Sequence, residues 1–298
     1  MTTTAGPALS WTVGGTTLSG IERRPTGSVL GTVIALHGGG YSSGYWHHEL
    51  VPEASLLDLG ASLDYRVLAV DRPGYGASHG LVGPAVRMTR QAEVIGELIA
   101  TLSAEPDCGP VFLIGHSMGA VLALHVAARQ PAALAGVDIS GLPYVFDDDP
   151  PTAGMNLDQL DFLPGLPREA ARQMFYGPAG TFAQAAFEAD AEVSRPTPAA
   201  EIIDALECGA ATRELAPSVR VPVQITRAEF EASSGGGIAG LQECCRLFTG
   251  SPRVAAQVQA ASGHNISLHN VARAYHLRAF AFFDEVRLAD ALRNRLEW

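Results

Sequence analysis

The hydrophobic residues of the chain form short apolar runs that alternate with longer helical patterns. Runs rich in β-branched residues predict strands, and apolar positions repeating every three or four residues predict amphipathic helices. Eight strands are predicted, at 9–13, 16–22, 31–36, 65–70, 111–114, 135–139, 221–226 and 254–258. Helical patterns lie at about 46–59, 89–102, 121–127, 168–175, 198–207, 240–248 and 271–292.

The order of these elements predicts the fold class. The first two strands are joined at Gly14-Gly15, which is a hairpin signal. From residue 31 onward strands alternate with helices, and this order is typical of a parallel sheet with helices on both faces. We therefore expect an α/β fold with a mostly parallel, doubly wound, eight-stranded sheet.

The stretch 141–218 interrupts this alternation. It contains many prolines, three consecutive aspartates at 147–149 and separate helical pieces. We interpret it as a helical cap inserted into the fold. The expected division is then a core of residues 1–140 and 219–298, with a cap of residues 141–218.

Composition limits the kind of partner. The formal charge of −11 argues against nucleic acid and against an anionic membrane surface. The four cysteines have no disulfide-framework or metal-type spacing, so reduced thiols and no metal are expected. Met1–Ser10 lacks the basic and apolar regions of a signal peptide, and no apolar run is long enough to span a bilayer. A cytoplasmic location is expected.

The chemistry of the chain centres on one turn. The strand at 111–114 continues into Gly115-His116-Ser117-Met118-Gly119, and a helical pattern follows at once. Side chains two residues before and after the apex of so tight a turn would collide with its neighbours, and glycine removes them. A strand, a G-x-S-x-G turn and a helix together predict that Ser117 is a nucleophile.

Other polar residues follow the ends of other predicted strands. They are His37, Asp71, Glu229 or Glu231, and His264. Because the carboxyl ends of parallel strands meet at one edge of the sheet, these residues are expected near Ser117.

Four motifs give the sequence a resemblance to the α/β-hydrolase family. They are Gly115-His116-Ser117-Met118-Gly119, His37-Gly38-Gly39-Gly40, Asp71-Arg72-Pro73-Gly74-Tyr75-Gly76 and Gly263-His264. The resemblance extends from about residue 9 to the C-terminus and is weak through the cap. It implies that His264, after the last strand, is the base that activates Ser117.

The resemblance also implies a carboxylate after the strand at 221–226. Glu231 falls at that position, although it replaces the more usual Asp and Ala228 replaces the usual Gly of the Gly-x-x-Asp pattern. Glu229 and Asp147 remain alternatives. The carboxylate would hold the tautomer of His264 and stabilise its positive form.

The glycine-rich loop at 37–40 predicts an oxyanion hole. A tetrahedral intermediate needs fixed hydrogen-bond donors, and glycines let the backbone approach a substrate. The expected donors are the N–H groups of Met118, Gly39 and Gly40. Candidate pocket residues are chosen from the stretch after this loop, from the elbow and from the cap: Tyr41, Trp46, His47, His116 and Phe175.

The function that the resemblance implies is a serine hydrolase without a cofactor. It would cleave a carboxylic ester or thioester of a moderately apolar small molecule through an acyl-enzyme. The alternative is an acyltransferase, or a lyase that eliminates a carboxylate in natural-product biosynthesis, with the same catalytic groups. A non-catalytic ligand receptor is a minor alternative.

Overall fold

A computed structural model describes residues 9–48, 51–145 and 155–296 of the chain. The strands are β1 (Leu9–Val13), β2 (Thr16–Arg23), β3 (Gly31–Leu36), β4 (Tyr65–Val70), β5 (Val111–His116), β6 (Leu134–Ser140), β7 (Val223–Phe230) and β8 (Val254–Gly263). The α-helices are α1 (Leu56–Ser62), α2 (Met88–Ser103), α3 (Met118–Ala128), α4 (Arg168–Phe175), α5 (Gln184–Val193), α6 (Ala199–Leu206), α7 (Cys208–Leu215), α8 (Gly237–Leu247) and α9 (Ala272–Leu296).

The eight strands form one sheet in the order β1-β2-β4-β3-β5-β6-β7-β8. β1 and β2 form an antiparallel hairpin, and β2 is also antiparallel to β4. All the other pairs are parallel. The expected eight-stranded, mostly parallel α/β sheet is confirmed.

The central strands are covered on both faces. β3, β4 and β5 are buried along their whole lengths. Alternate residues of β3 enter opposite cores: Ile34 packs with the apolar faces of α2 and α3, whereas Val33 packs with α1 and α9. These two cores fix β3 and β5, whose carboxyl ends carry the glycine-rich loop and Ser117.

The predicted helix at 46–59 is wrong for most of its length. The described part contains two short 3₁₀ turns, Ser43–Trp46 and Pro52–Ala54, and α1 begins only at Leu56. Proline restricts the residue before it and cannot donate a helical hydrogen bond, so it favours a break here. Ser55 then caps α1 by accepting the N–H of Asp58.

The last two strands extend beyond the predicted ends. β7 continues to Phe230 and β8 to Gly263, where these two residues pair. Glu229 therefore lies within β7 and not after it. The β7–β8 pair lies at the edge of the sheet, where exposed polar residues are tolerated and the apolar pattern that marks a buried strand is weaker.

Between β6 and β7 the residues that the structure describes form the four helices α4 to α7. The sequence pattern predicts α4 and α6 but misses α5 and α7. α6 is joined to the core by a fully buried ion pair, in which Arg72 Nη1 and Nη2 donate to Glu201 Oε1 and Oε2 at 2.8 and 3.1 Å. In the same helix Asp204 Oδ2 accepts the N–H of Met88 at 2.8 Å, at the start of α2.

None of the described helices is long and apolar enough to cross a membrane.

Replacing Glu201 with alanine is expected to destabilise the protein by about 3–5 kcal/mol, because Arg72 would be left buried without its counterion. Urea unfolding followed by circular dichroism measures this change. Glu169→Ala is the control, since Glu169 pairs with Arg172 on the surface and its removal should change stability little. Equal unfolding midpoints for both variants would contradict the importance of the buried pair.

Candidate active site

Ser117 occupies the sharp turn between β5 and α3. Its backbone has a φ of 52° and a ψ of −116°, a strained combination for a residue with a side chain. Its N–H donates to the carbonyl of Ser140 at the end of β6, at 2.8 Å. The side chain is partly exposed, whereas His116 and Met118 on either side are buried.

The glycines of the elbow are required by close backbone contacts. A Cβ atom on Gly115 would overlap the carbonyl of Gly119, and one on Gly119 would overlap the carbonyl of Leu36 in β3. The turn can therefore form only when both positions lack a side chain. Met118 is the first residue of α3, so its N–H has no acceptor within that helix.

His264 and Glu231 form a buried hydrogen-bonded pair. Nδ1 of His264 lies 2.8 Å from Oε1 and 3.0 Å from Oε2 of Glu231. The side chains are 3% and 0% exposed. His264 follows β8 and Glu231 follows β7, so the long pairing of these two strands brings the residues together.

The carboxyl group of Glu231 has a lowered pKa. Burial on its own raises this pKa, but the charge of His264 and hydrogen bonds from His264 and Ser233 together outweigh burial. The pKa falls from 4.5 to about 2. Glu231 is therefore ionised at neutral pH and places a negative charge beside Nδ1 of His264.

Glu229 does not reach His264, because its carboxylate accepts the N–H of Ala261 at 2.7 Å on the exposed side of β8. Asp147 and the rest of the acidic run lie outside the described residues.

Aromatic rings surround His264. The ring of His116 lies 4.6 Å from it and that of Phe175, at the end of α4, lies 5.7 Å away. Tyr45 stacks on His116 with a ring separation of 4.9 Å. Burial and then the positive charge of His264 lower the pKa of His116 well below its usual range. His116 is thus a neutral wall beside the pair.

Gly141, which follows β6, gives both histidines room. A Cβ atom there would lie 2.8 Å from Cε1 of His264 and 3.0 Å from Cε1 of His116. Its φ of 59° also disfavours other residues.

The glycine-rich loop after β3 is fixed by hydrogen bonds from the buried side chain of Arg72. The guanidinium donates to the carbonyl of His37 at 2.8 Å and to that of Gly38 at 3.3 Å. Gly39 packs against Met118, since a Cβ on Gly39 would lie 3.0 Å from Cγ of Met118. The loop therefore lies directly beside the start of α3.

Gly40 differs from the expectation. Its N–H donates to Tyr75 Oη at 3.1 Å, and Tyr75 donates in turn to Glu201 Oε2 at 3.0 Å. The carbonyl of Gly40 accepts the N–H of Arg195 at 2.7 Å. Since the N–H of Gly40 already donates to Tyr75, Gly40 is a poor donor for an oxyanion.

The structure separates the candidate pocket residues into two groups. His116 and Phe175 contact His264, and Tyr41 accepts a hydrogen bond at 2.6 Å from Asn265, the residue after His264. Trp46 and His47 are not brought to this site.

Trp46 and His47 lie elsewhere for packing reasons. Trp46 is 1% exposed and packs between Tyr45 and His276 of α9. His47 contacts Ser55 Oγ at 2.7 Å and Arg23 at 3.2 Å, beside the start of α1. The turn at 43–46 directs both side chains towards α1 and α9.

Two residues that hold His264 in place are not predicted from the sequence. His269 Nε2 accepts the N–H groups of Gly263 and Gly177 at 2.9 and 3.3 Å. Ser233 contacts both Glu231 and His264. His269 had only its spacing of five residues from His264 as a signal, and nothing in the sequence distinguishes Ser233 from Ser234.

No group of three or more His, Cys, Asp or Glu residues that would hold a metal ion occurs in the described part of the chain.

A nucleophile-elbow geometry beside a histidine–carboxylate pair, on this sheet, is typical of α/β hydrolases. The model of the alpha/beta hydrolase family matches residues 33–291. The chain therefore belongs to the α/β hydrolase family.

Individual relatives match over shorter stretches. A 2-hydroxy-6-oxononadienedioate/2-hydroxy-6-oxononatrienedioate hydrolase of Paraburkholderia phymatum is 32% identical over 40% of this chain and 38% of its own length. Human monoglyceride lipase is 30% identical over 38% of this chain and 35% of its own length. The matches thus span less than two fifths of either relative.

Among solved structures, a thermophilic esterase from Thermogutta terrifontis aligns with a TM-score of 0.69 and 20% identity. The alignment covers 95% of this chain and 100% of the esterase. The likeness shows a shared fold.

The lowered pKa of Glu231 predicts how stability depends on pH. Because this pKa is lower in the folded protein, ionised Glu231 stabilises the fold above about pH 4.5, and this contribution is lost as the pH falls towards about 2. The difference in unfolding free energy between wild type and Glu231→Gln should shrink over that range. Urea titrations at several pH values measure it, and a constant difference would contradict the assignment.

Proposed function

We propose that this protein is a serine hydrolase that cleaves a carboxylic ester or thioester through an acyl-enzyme. The observation that carries the proposal is the buried hydrogen bond between His264 Nδ1 and Glu231, beside the strained turn that presents Ser117. A serine hydroxyl is a weak nucleophile, and a histidine oriented by a carboxylate is the group that activates it.

In the proposed mechanism His264 takes the proton of Ser117 through Nε2, because Nδ1 is bound to Glu231. Ser117 attacks the substrate carbonyl, and His264 then returns the proton to the leaving group. A water molecule activated by His264 releases the acid. Glu231 holds the imidazole orientation and stabilises its positive form.

The negative oxygen of the tetrahedral intermediate would be bound by the N–H groups of Met118 and Gly39. Helix α3 begins at Met118, so this N–H has no acceptor within the helix, and Gly39 packs directly against Met118. Gly40 is left out, because its N–H donates to Tyr75. Its contribution would be to shape the loop.

We further propose that the segment 141–218, whose described residues include α4 to α7, contributes a cap over Ser117. Two of its residues support this role: Phe175 lies beside His264, and Thr197 lies against Gly39 and Gly40. With Met118 and Tyr41 they would form a wall that is mainly apolar. The substrate would then be a small molecule with a moderately apolar acyl part.

Ser117→Ala is expected to lower kcat/KM for p-nitrophenyl butyrate by at least about a thousandfold, because the nucleophile is removed. Ser103→Ala, an exposed serine in α2, is the control and should retain full activity. A fluorophosphonate probe should label wild type and fail to label Ser117→Ala. Near-native turnover by Ser117→Ala would overturn the proposal, and a wild type that neither reacts nor turns over would favour a receptor.

Turnover in ¹⁸O-labelled water separates hydrolysis from other fates of the acyl group. Hydrolysis places one heavy oxygen in the carboxylate product, because water attacks the acyl-enzyme. Mass spectrometry of the product measures the label. An unlabelled carboxylate accompanied by an unsaturated product would indicate elimination, and an unlabelled ester would indicate acyl transfer.

A further inference from the structure

Ser233 lies against both members of the histidine–carboxylate pair. Its Oγ atom is 2.6 Å from Glu231 Oε1 and 2.6 Å from His264 Nδ1. Its backbone N–H donates to the same carboxylate oxygen at 3.0 Å. The mechanism proposed above does not use this hydroxyl.

The donor and acceptor roles of the Ser233 hydroxyl follow from the protonation of its two partners. Glu231 is ionised and can only accept, so the Ser233 hydroxyl donates its proton to Oε1. The lone pairs of Oγ are then free to face His264. The Nδ1–H of His264 thus has two acceptors, the carboxylate at 2.8 Å and the serine oxygen at 2.6 Å.

The loop that carries Ser233 is fixed by its surroundings. Arg227 donates to the carbonyl of Ser234 at 2.9 Å and to that of Gly235 at 3.2 Å. The N–H of Gly235 donates to the carbonyl of Val145. The hydroxyl of Ser233 is therefore held in place by backbone contacts on its C-terminal side.

We infer that Ser233 is a positioning residue: a second acceptor that keeps the proton of His264 on Nδ1, so that Nε2 stays available to Ser117. The role rests on the proposed function, since it matters for turnover only if His264 is the base. It makes the two acceptors partly redundant. If Ser233 is lost, the carboxylate of Glu231 still accepts the Nδ1–H of His264. If Glu231 is lost, the oxygen of Ser233 still accepts it, while the hydroxyl proton turns into the space that the carboxylate leaves.

Redundancy predicts a non-additive double-mutant cycle. Ser233→Ala alone should lower kcat/KM less than about fivefold. In a Glu231→Ala background the same substitution should lower kcat/KM by a factor at least about ten times larger, which corresponds to the free energy of one hydrogen bond. Ser233→Thr in that background keeps the hydroxyl and should retain most of the activity. Equal factors in both backgrounds would overturn the inference.

Ser234→Ala is the matched control. Ser234 is the adjacent serine and is buried, but its Oγ lies 3.5 Å from Arg227 and not at the pair. Its replacement should have the same small effect with and without Glu231. A loss in the Glu231→Ala background as large as that from Ser233→Ala would point to a general effect of the loop and would also overturn the inference.

A readout that needs no turnover separates this inference from the proposed function. With ¹⁵N-labelled histidine, NMR should show neutral His264 protonated at Nδ1 in Glu231→Ala, and a shift of the proton to Nε2 when Ser233→Ala is added. The Nε2 form in Glu231→Ala alone would overturn the inference even if the double variant does not fold. Lack of esterase activity with the expected tautomers would contradict only the proposed function.

Discussion

The close approach of three backbone segments is the constraint on which the rest of the site depends. The end of β3, the end of β5 and the start of α3 come so near each other that Gly115 and Gly119 leave no space for a Cβ atom. This contact forces Ser117 into a strained conformation and exposes its side chain. It also sets the glycine-rich loop after β3 beside the first N–H groups of α3. The same close contact therefore sets both the position of Ser117 and the place of the N–H groups that could bind a negative oxygen.

The second half of the site depends on the edge of the sheet. β7 and β8 pair as far as Phe230 and Gly263, and this pairing brings Glu231 to His264. An ionised carboxylate without exposed surface is costly, and it is tolerated because it accepts hydrogen bonds from His264 and from Ser233. These hydrogen bonds, together with the charge of His264, lower the pKa of Glu231.

Much of the fold could be predicted from the sequence because buried parallel strands are continuous apolar runs, as in β3 and β5. The positions of Ser117, Glu231 and His264 at one edge follow from the same topology, although their catalytic roles stay predictions. The local sequence pattern failed to predict side-chain positions that depend on contacts with distant parts of the chain. Trp46 and His47 turn towards α1 and α9. The partner of the Gly40 N–H is Tyr75, which is distant in sequence and has no periodic signal.

The buried contacts of α6 limit which of the helices α4 to α7 can move away from the core. Lifting α6 from the sheet would strand the guanidinium of Arg72 and leave the first turn of α2 without an acceptor from Asp204. α4, in contrast, has no fully buried residue and ends at Phe175 beside His264. Short helices with little buried surface open at low cost. With the proposed cap over Ser117, a substrate would therefore enter and leave more easily by fraying of α4 than by a hinge motion that moves all four helices together.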